Sequence, residues 1–222
     1  MISIKNISKH FGGVVAVDGV YMKIERGSIT GLIGPNGAGK TTLFNLIAGN
    51  IIPNTGNIYL DGEDVTGLKP HLLFSKGLLR TFQIAHEFHT LSVLDNLMLV
   101  PPMQTGESLL GAWFNRKEVV RQEAEIRHKA EDVISFLNMG HTTNELAGNL
   151  SGGQKKLLEL GRTMMVEPKV IILDEVGAGV NRSLLKEIGD AILSMNRDRE
   201  YTFCMIEHDM DFISRLCDPI VV

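Results

Sequence analysis

The amino-acid sequence predicts an α/β fold, with a mainly parallel core sheet and flanking helices. Short apolar runs typical of buried strands, such as residues 29–33 and 170–173, alternate with segments of helical periodicity. A chain of 222 residues is long enough to form one domain of this kind. The same patterns predict an antiparallel β subdomain near the N-terminus and a helical insertion subdomain later in the chain.

The composition argues against several classes of protein. The formal net charge is −4, so an extended nucleic-acid-binding surface is not expected. The sequence has no run of 18 apolar residues and no signal peptide, so the chain itself is not expected to cross a membrane. Cys204 and Cys217 lie in apolar stretches, and we interpret them as buried thiols of a reducing compartment rather than as a disulfide.

The N-terminal residues predict a set of short strands. Ile2, Ile4 and Ile7 nearly alternate with polar residues, which indicates an edge strand with one buried face. Apolar, β-branched runs predict three further strands, at residues 19–25, 28–33 and 57–62. Phe11 follows the first strand, where it could either stack on an adenine ring or pack as an ordinary core side chain.

A phosphate-binding loop is predicted directly after the strand at residues 28–33. Residues 34–41 match the pattern G-x-x-x-x-G-K-[ST] at every fixed position. Backbone N–H groups would converge on a polyphosphate at the start of a helix, Lys40 would reach the β- and γ-phosphates, and the Thr41 hydroxyl would bind Mg²⁺. The nucleotide-binding residues expected here are Gly34, Pro35, Asn36, Gly37, Ala38, Gly39, Lys40, Thr41 and Thr42.

The middle of the chain predicts a change from strands to helices. A short helix is expected at residues 69–76 and a core strand at 78–83, which ends in Gln83. A glutamine in that position is more often solvated than functional, so its meaning depends on the motifs further along the chain. From about residue 84 to residue 150 helical periodicity dominates, and residues 118–139 have the apolar spacing of an amphipathic helix.

A second anion-binding helix N-terminus is predicted at Ser151. Ser151 can cap the helix that begins after it, and Gly152 and Gly153 would leave the first N–H groups accessible. Gln154 completes the run that begins at Leu150. A bare S-G-G sequence is weak evidence by itself, and it gains weight from the phosphate-binding loop upstream.

Two carboxylates and a histidine come directly after predicted core strands. Asp174 and Glu175 end the strand at residues 170–173, at the sheet edge where open α/β sheets bind their ligands. Asp174 is expected to hold Mg²⁺, and Glu175 is expected to polarise an attacking water. His208 lies just past the strand predicted at residues 201–206, so parallel strands would bring it to the same edge, in reach of a γ-phosphate. The alternative is an ordinary surface or core histidine with no functional role.

Taken in order, these segments resemble the P-loop, Q-loop, signature, Walker B and switch-histidine motifs of an ATP-binding cassette (ABC) domain. The segments are residues 34–41, Gln83, 150–154, 170–175 and His208. The resemblance covers essentially the whole chain, and the LSGGQ run distinguishes the family from other P-loop ATPases. It implies a P-loop NTPase-type fold, with a core subdomain at about residues 1–86 and 161–222 and a helical subdomain at about 87–160.

The resemblance also implies ligands and a mode of assembly. ATP and Mg²⁺ are the expected ligands, and Gln83 joins Thr41 and Asp174 at the metal and Glu175 and His208 in catalysis. A head-to-tail homodimer or heterodimer is expected, in which the signature run of one subunit closes on ATP held by the other. The signature residues concerned are Ser151, Gly152, Gly153 and Gln154.

Three stretches resemble the ATP-binding subunits of branched-chain amino acid importers: residues 80–83, 91–97 and 178–181. Importers of urea or amides and some lipopolysaccharide-export ATPases share these features. Asn181 stands where many ABC domains have aspartate, as is common in the amino acid branch. Val176 replaces the proline that usually follows the catalytic glutamate, and the chain ends at Val222, where such domains normally continue, so we expect a truncated domain.

The expected function is ATP hydrolysis at the cytoplasmic face of a membrane, powering uptake of branched-chain or other amino acids. The expected partners are transmembrane permease subunits, a second ATP-binding subunit and an extracytoplasmic substrate-binding protein, but no nucleic acid. The main alternatives are a lipopolysaccharide-type exporter and a urea or amide importer. A soluble ABC ATPase acting on DNA or ribosomes agrees less well with the short, mixed-charge insertion. A nonhydrolytic regulatory subunit agrees less well with the complete set of site motifs.

Overall fold

The computed structural model describes residues 1–81, 87–102, 104, 113 and 115–222. The chain forms two compact units, the first made of Met1–Gln83 with Pro168–Val222 and the second of Ile84–Glu167. Within the described ranges, no helix combines the length and the apolar character needed to cross a bilayer.

The strands are β1 (Ile2–Phe11), β2 (Val14–Ile24), β3 (Ile29–Leu32), β4 (Thr55–Leu60), β5 (Glu63–Asp64), β6 (Leu78–Arg80), β7 (Val170–Asp174), β8 (Thr202–Ile206) and β9 (Ile220–Val221). The helices are α1 (Lys40–Ile47), α2 (Pro70–Ser75), α3 (Val93–Met98), α4 (Arg116–Phe136), α5 (Gly152–Met165), α6 (Arg182–Arg199) and α7 (Met210–Leu216). Short 3₁₀ turns span Gly140–Thr142 and Ala147–Asn149.

A parallel sheet of five strands forms the centre of the first unit. Its order is β6-β7-β8-β3-β9, and every pairing in it is parallel. All residues of β7 and β8 are buried, as expected for strands covered on both faces. The predicted α/β fold with a parallel core sheet is therefore confirmed, and the carboxyl ends of β7 and β8 lie side by side.

An antiparallel sheet in the order β2-β1-β4-β5 forms the other layer of this unit. Ile2, Ile4 and Ile7 are buried as predicted, but the prediction of an edge strand is wrong, because β1 pairs with β2 on one side and β4 on the other. Alternation of apolar and polar residues reports which face is buried. It carries no information on how many neighbouring strands are hydrogen-bonded.

One apolar core joins the two sheets through α1. It includes Ile4 and Ile58 of the antiparallel sheet, Phe44 of α1, and Ile172 and Cys204 of the parallel sheet. Burial of Phe44 and its neighbours against both sheets holds the start of α1 beside the ends of the parallel strands, which positions the phosphate-binding loop.

The two cysteines are free and buried, in agreement with the sequence interpretation. Burial raises the pKa of the Cys217 thiol to about 12 and also raises the pKa of the Cys204 thiol well above its ordinary value. Both thiols are therefore protonated and unreactive at neutral pH, because the thiolate is the nucleophilic form.

The second unit is helical. The predicted amphipathic helix is α4, which buries Ile126, Ala130, Val133 and Ile134. Its neighbour α5 approaches closely at Gly161, where an added Cβ would lie 3.0 Å from Leu137 and 3.2 Å from Leu97 and Val133. Trp113 is exposed, and Phe114 lies outside the described residues.

Candidate functional site

The loop between β3 and α1 has the backbone shape that the glycine pattern predicts. Gly34, Gly37 and Gly39 all have positive φ angles, which are costly for residues with a side chain. Gly39 is also confined by close approach, since a Cβ there would lie only 2.2 Å from the backbone oxygen of Ala16. The position before Lys40 therefore requires glycine for two independent reasons.

Lys40 and Thr41 occupy the first turn of α1, as predicted. Nζ of Lys40 donates hydrogen bonds to the backbone oxygens of Gly34 (2.7 Å) and Pro35 (2.9 Å). The ammonium group is thus folded back onto its own loop, at the N-terminus of a helix whose backbone N–H groups suit an anion. A phosphate at this point would replace these neutral carbonyl acceptors with an anionic one, which binds an ammonium group more strongly.

An open cleft of about 260 Å³ lies over this loop. Residues 36–42 form its floor, Glu175 and His208 form one wall, and Val14, Val15 and Ala16 form the other. The three β2 residues have no motif and were not singled out from the sequence. The sequence shows only two consecutive valines shortly after the predicted first strand, and the structure shows that both are exposed.

Phe11 lies at the end of β1 and is half exposed. The ammonium of Lys9 lies 5.3 Å from the centre of its ring. Phe11 is not among the described residues that line the cleft, although it pairs across the hairpin with Val14, which is. A half-exposed ring is not a core side chain, so the interpretation of Phe11 as an ordinary core residue is excluded. Stacking on an adenine ring stays a prediction.

Glu175 and His208 meet at the carboxyl ends of β7 and β8. Because these strands are parallel neighbours, with Asp174 opposite Ile206, the residues just beyond them share one edge. Nε2 of His208 lies 3.0 Å from Oε1 of Glu175. Two residues 33 positions apart in sequence therefore form a pair that faces the phosphate-binding loop across the cleft.

The backbone of Glu175 is left-handed, with φ of 51°, and its N–H donates to the oxygen of Ile206. This conformation is uncommon for a residue with a side chain. A proline at the next position would disfavour helical backbone at Glu175 by steric clash. This chain has Val176 at that position instead of the proline expected from the family resemblance. Val176 is buried and places no such restriction on the left-handed backbone of Glu175.

Asp174 is almost fully buried and makes one strong contact. Nη2 of Arg80 donates to its Oδ2 at 2.6 Å. The other oxygen, Oδ1, is buried and has no hydrogen-bond partner among the residues that the structure describes. Leaving a buried carboxylate oxygen unpaired is costly, so a ligand on this side of Asp174 is expected.

Mg²⁺ fits the residues at this end of the sheet. The described residues contain no group of three histidine, cysteine or acidic side chains suited to a protein-only metal site. Mg²⁺ in nucleotide sites instead uses one or two protein oxygens together with phosphates and waters. The unpaired Oδ1 of Asp174 and the hydroxyl of Thr41 are oxygens of the right chemistry.

A second buried carboxylate, Glu207, supports the same edge. Its Oε1 accepts a hydrogen bond from the N–H of Gly177 at 2.7 Å, and its Oε2 accepts one from the N–H of His208 at 3.4 Å. Burial raises the pKa of Glu207, although these backbone hydrogen bonds oppose the shift. Glu207 therefore ties the loop after Glu175 to the end of β8, a role that sequence reasoning did not predict.

The signature run begins α5 in the second unit. Ser151 caps this helix: its Oγ accepts from the N–H of Gln154 at 3.3 Å, and Oε1 of Gln154 accepts from the N–H of Ser151 at 2.9 Å. Gly152 is exposed, as expected, but Gly153 is buried. In the first turn of this helix solvent therefore reaches Gly152 but not Gly153. Gln83, the predicted Q-loop residue, lies outside the described residues.

Comparisons with known proteins show what this chain is similar to. The ABC transporter family profile matches residues 17–178. The probable branched-chain amino acid transport ATP-binding protein LivG of Methanocaldococcus jannaschii is 38% identical over 218 residues, which are 98% of this chain and 84% of that protein. The high-affinity branched-chain amino acid transport ATP-binding protein BraF of Pseudomonas aeruginosa is 35% identical over 222 residues, covering 100% of this chain and 87% of that protein.

A solved structure agrees as well. The crystal structure of an ATP-binding cassette of an ABC transporter in its ADP conformation superimposes with a TM-score of 0.82 and 36% identity, covering 99% of this chain and 85% of that one. The match is therefore in sequence and fold together and spans nearly the whole chain. On these grounds the chain belongs to the ABC transporter family.

Proposed function

We propose that this protein binds and hydrolyses ATP to power a membrane transporter that takes up branched-chain or other amino acids. The observation that carries the catalytic part is the Glu175–His208 pair, which faces Lys40 across the cleft over the phosphate-binding loop. The names of the relatives from Methanocaldococcus jannaschii and Pseudomonas aeruginosa support the choice of amino acids as cargo.

The residues of the cleft divide the work between binding and chemistry. The backbone of residues 34–39 and the side chains of Lys40, Thr41 and Thr42 hold the phosphates, and Phe11 stacks on the adenine. Glu175 orients and polarises the attacking water, and His208 contacts the γ-phosphate. Positioning and charge stabilisation supply most of the catalysis in phosphoryl transfer.

The metal site uses few protein groups. The proposed ligands of Mg²⁺ are Thr41, Asp174 and Gln83, directly or through water. When bound, Mg²⁺ neutralises negative charge on the phosphate oxygens. The protein's own contribution at Asp174 is a carboxylate with one oxygen held by Arg80 and the other left unpaired among the described residues.

A second ATP-binding subunit completes the site in this proposal. Ser151, Gly152, Gly153 and Gln154 of one subunit approach the phosphates held by the other. The start of α5 suits this role, because its first N–H groups and its positive dipole end favour an anion. The exposed position of Ser151 and Gly152 leaves this end of the helix available to a partner.

The dimer is tested by two substitutions at Ser151 that both keep a helix cap. Aspartate and asparagine are as good as serine at this position, so S151D and S151N should fold with stability within about 0.5 kcal/mol of the wild type. S151D places a negative charge against ATP, and we expect ATP-induced dimerisation to be lost in S151D but kept in S151N. Both substitutions are made together with E175Q, which should slow ATP hydrolysis, and light scattering in the presence of ATP measures the fraction of dimer. Equal dimerisation of both variants would contradict the proposed contact.

The transport part needs the membrane partners. The proposed assembly places this subunit at the cytoplasmic face of transmembrane permease subunits that receive amino acids from an extracytoplasmic binding protein. Co-purification with the permeases, followed by reconstitution in liposomes, should give ATP hydrolysis that rises when leucine-loaded binding protein is added on the outside. Stimulation by urea or an amide, or by a lipid substrate from the inner side, would replace the amino acid assignment with that alternative.

A further inference from the structure

The Arg80 side chain bridges two elements of the candidate site. Its Nη2 donates to Oδ2 of Asp174 at 2.6 Å, and its Nη1 donates to Oδ1 of Asn45 at 2.5 Å. Asn45 belongs to α1, the helix that begins with Lys40 and Thr41, whereas Asp174 ends β7. One guanidinium group therefore connects the helix after the phosphate-binding loop with the carboxylate beside it.

The sheet register explains how Arg80 reaches Asp174. Arg80 ends β6 and lies opposite Ile172 of β7 in the parallel pairing. Ile172 and Asp174 are two residues apart on β7, so their side chains lie on the same face of the sheet. Arg80, which is paired with Ile172, lies on that face as well. The contact is largely shielded from water, since the side chains of Arg80 and Asp174 are 14% and 1% exposed.

The two oxygens of Asp174 are thereby given different surroundings. Oδ2 is held by Arg80, and Oδ1 is buried without a partner among the described residues. A planar guanidinium with several fixed donors can restrain the orientation of a carboxylate in a way that a single ammonium cannot. Loss of a group that orients a metal ligand in this manner typically lowers metal affinity by about 10–100-fold.

We propose that Arg80 is a positioning residue for the metal site: it fixes the Asp174 carboxylate against α1 so that Oδ1 faces the Mg²⁺ of the bound nucleotide. The inference rests on the proposed function, because it requires a Mg²⁺–nucleotide complex in the cleft. Arg80 itself contacts neither metal nor nucleotide in this proposal and acts only through Asp174.

The test compares nucleotide affinity with and without Mg²⁺. The dissociation constant of a nonhydrolysable ATP analogue is measured by calorimetry on the whole chain, in excess Mg²⁺ and in EDTA. The constant in EDTA divided by the constant in Mg²⁺ gives the factor by which the metal tightens binding. R80M should lower this ratio by about 10–100-fold, while the constant in EDTA changes by less than about threefold. R80K keeps the charge without the fork and should lie between R80M and the wild type.

Two controls separate the possible failures. R26M removes another arginine–aspartate contact of the same unit, the exposed pair with Asp61, and should leave the ratio unchanged. A wild-type chain that gains nothing from Mg²⁺ would contradict the proposed function itself. A wild-type chain that does gain, together with the same ratio in R80K and in folded R80M, would overturn the role of Arg80 alone. If R80M does not fold in a thermal melt, the ratio of R80K decides.

Discussion

Replacing Glu175 by glutamine should reduce ATP hydrolysis by about 10²–10⁴-fold, the usual contribution of a positioned general base. Glutamine has nearly the same shape, and its amide oxygen can still accept a hydrogen bond from His208, whose Nε2 lies 3.0 Å from Oε1 of Glu175 in the wild type. The amide lacks the negative charge that, in the proposed mechanism, polarises the attacking water. Steady-state phosphate release, measured on the chain or on its complex with permeases, gives the rate.

Nucleotide binding should survive the same change. In the proposed function the phosphates are held by the backbone of residues 34–39 and by Lys40 and Thr41, and these contacts do not involve the charge of Glu175. We therefore expect the affinity for ATP in E175Q to stay within about threefold of the wild type. The corresponding change in binding free energy is smaller than the roughly 1.4 kcal/mol of a tenfold change in affinity. E187Q, on the exposed face of α6, is the matched control and should hydrolyse ATP at the wild-type rate. A wild-type rate in E175Q would refute the role of Glu175.

Replacing Lys40 by methionine should weaken ATP binding by about 10–150-fold, which corresponds to the 1.5–3 kcal/mol of a hydrogen bond to a charged group. The two backbone oxygens that Lys40 contacts at 2.7 and 2.9 Å belong to a partly exposed loop and can bind water instead. The substitution should therefore affect the affinity far more than the stability of the fold. Calorimetric titration with ATP and a thermal melt of the same sample measure both.

The control for this change is K186M, which removes an exposed lysine of α6 that is not among the residues lining the cleft. It should bind ATP as the wild type does. If K40M binds ATP with unchanged affinity, the assignment of Lys40 to the phosphates is wrong. The ammonium of the wild-type Lys40 would then stay on the Gly34 and Pro35 oxygens when nucleotide binds. Loss of affinity in K40M and loss of turnover in E175Q together separate binding from chemistry.

The sequence by itself determined the local parts of the site. The glycine spacing around Lys40 specifies a loop whose backbone only glycine can adopt at Gly39, and an apolar run before two acids specifies a buried strand with carboxylates at its end. These are relations between residues close together in the chain. Steric limits and side-chain periodicity act at that range, so the pattern of letters was sufficient to predict them.

The tertiary structure alone decided which distant residues meet. The strand order places β1 inside the antiparallel sheet, brings Val14–Ala16 over the phosphate-binding loop, and sets Arg80 against Asp174, 94 residues further along the chain. Such contacts depend on strand register and on the packing of α1 between the sheets. No short-range pattern encodes them, because the energy that fixes them comes from burial of the whole core rather than from any one segment.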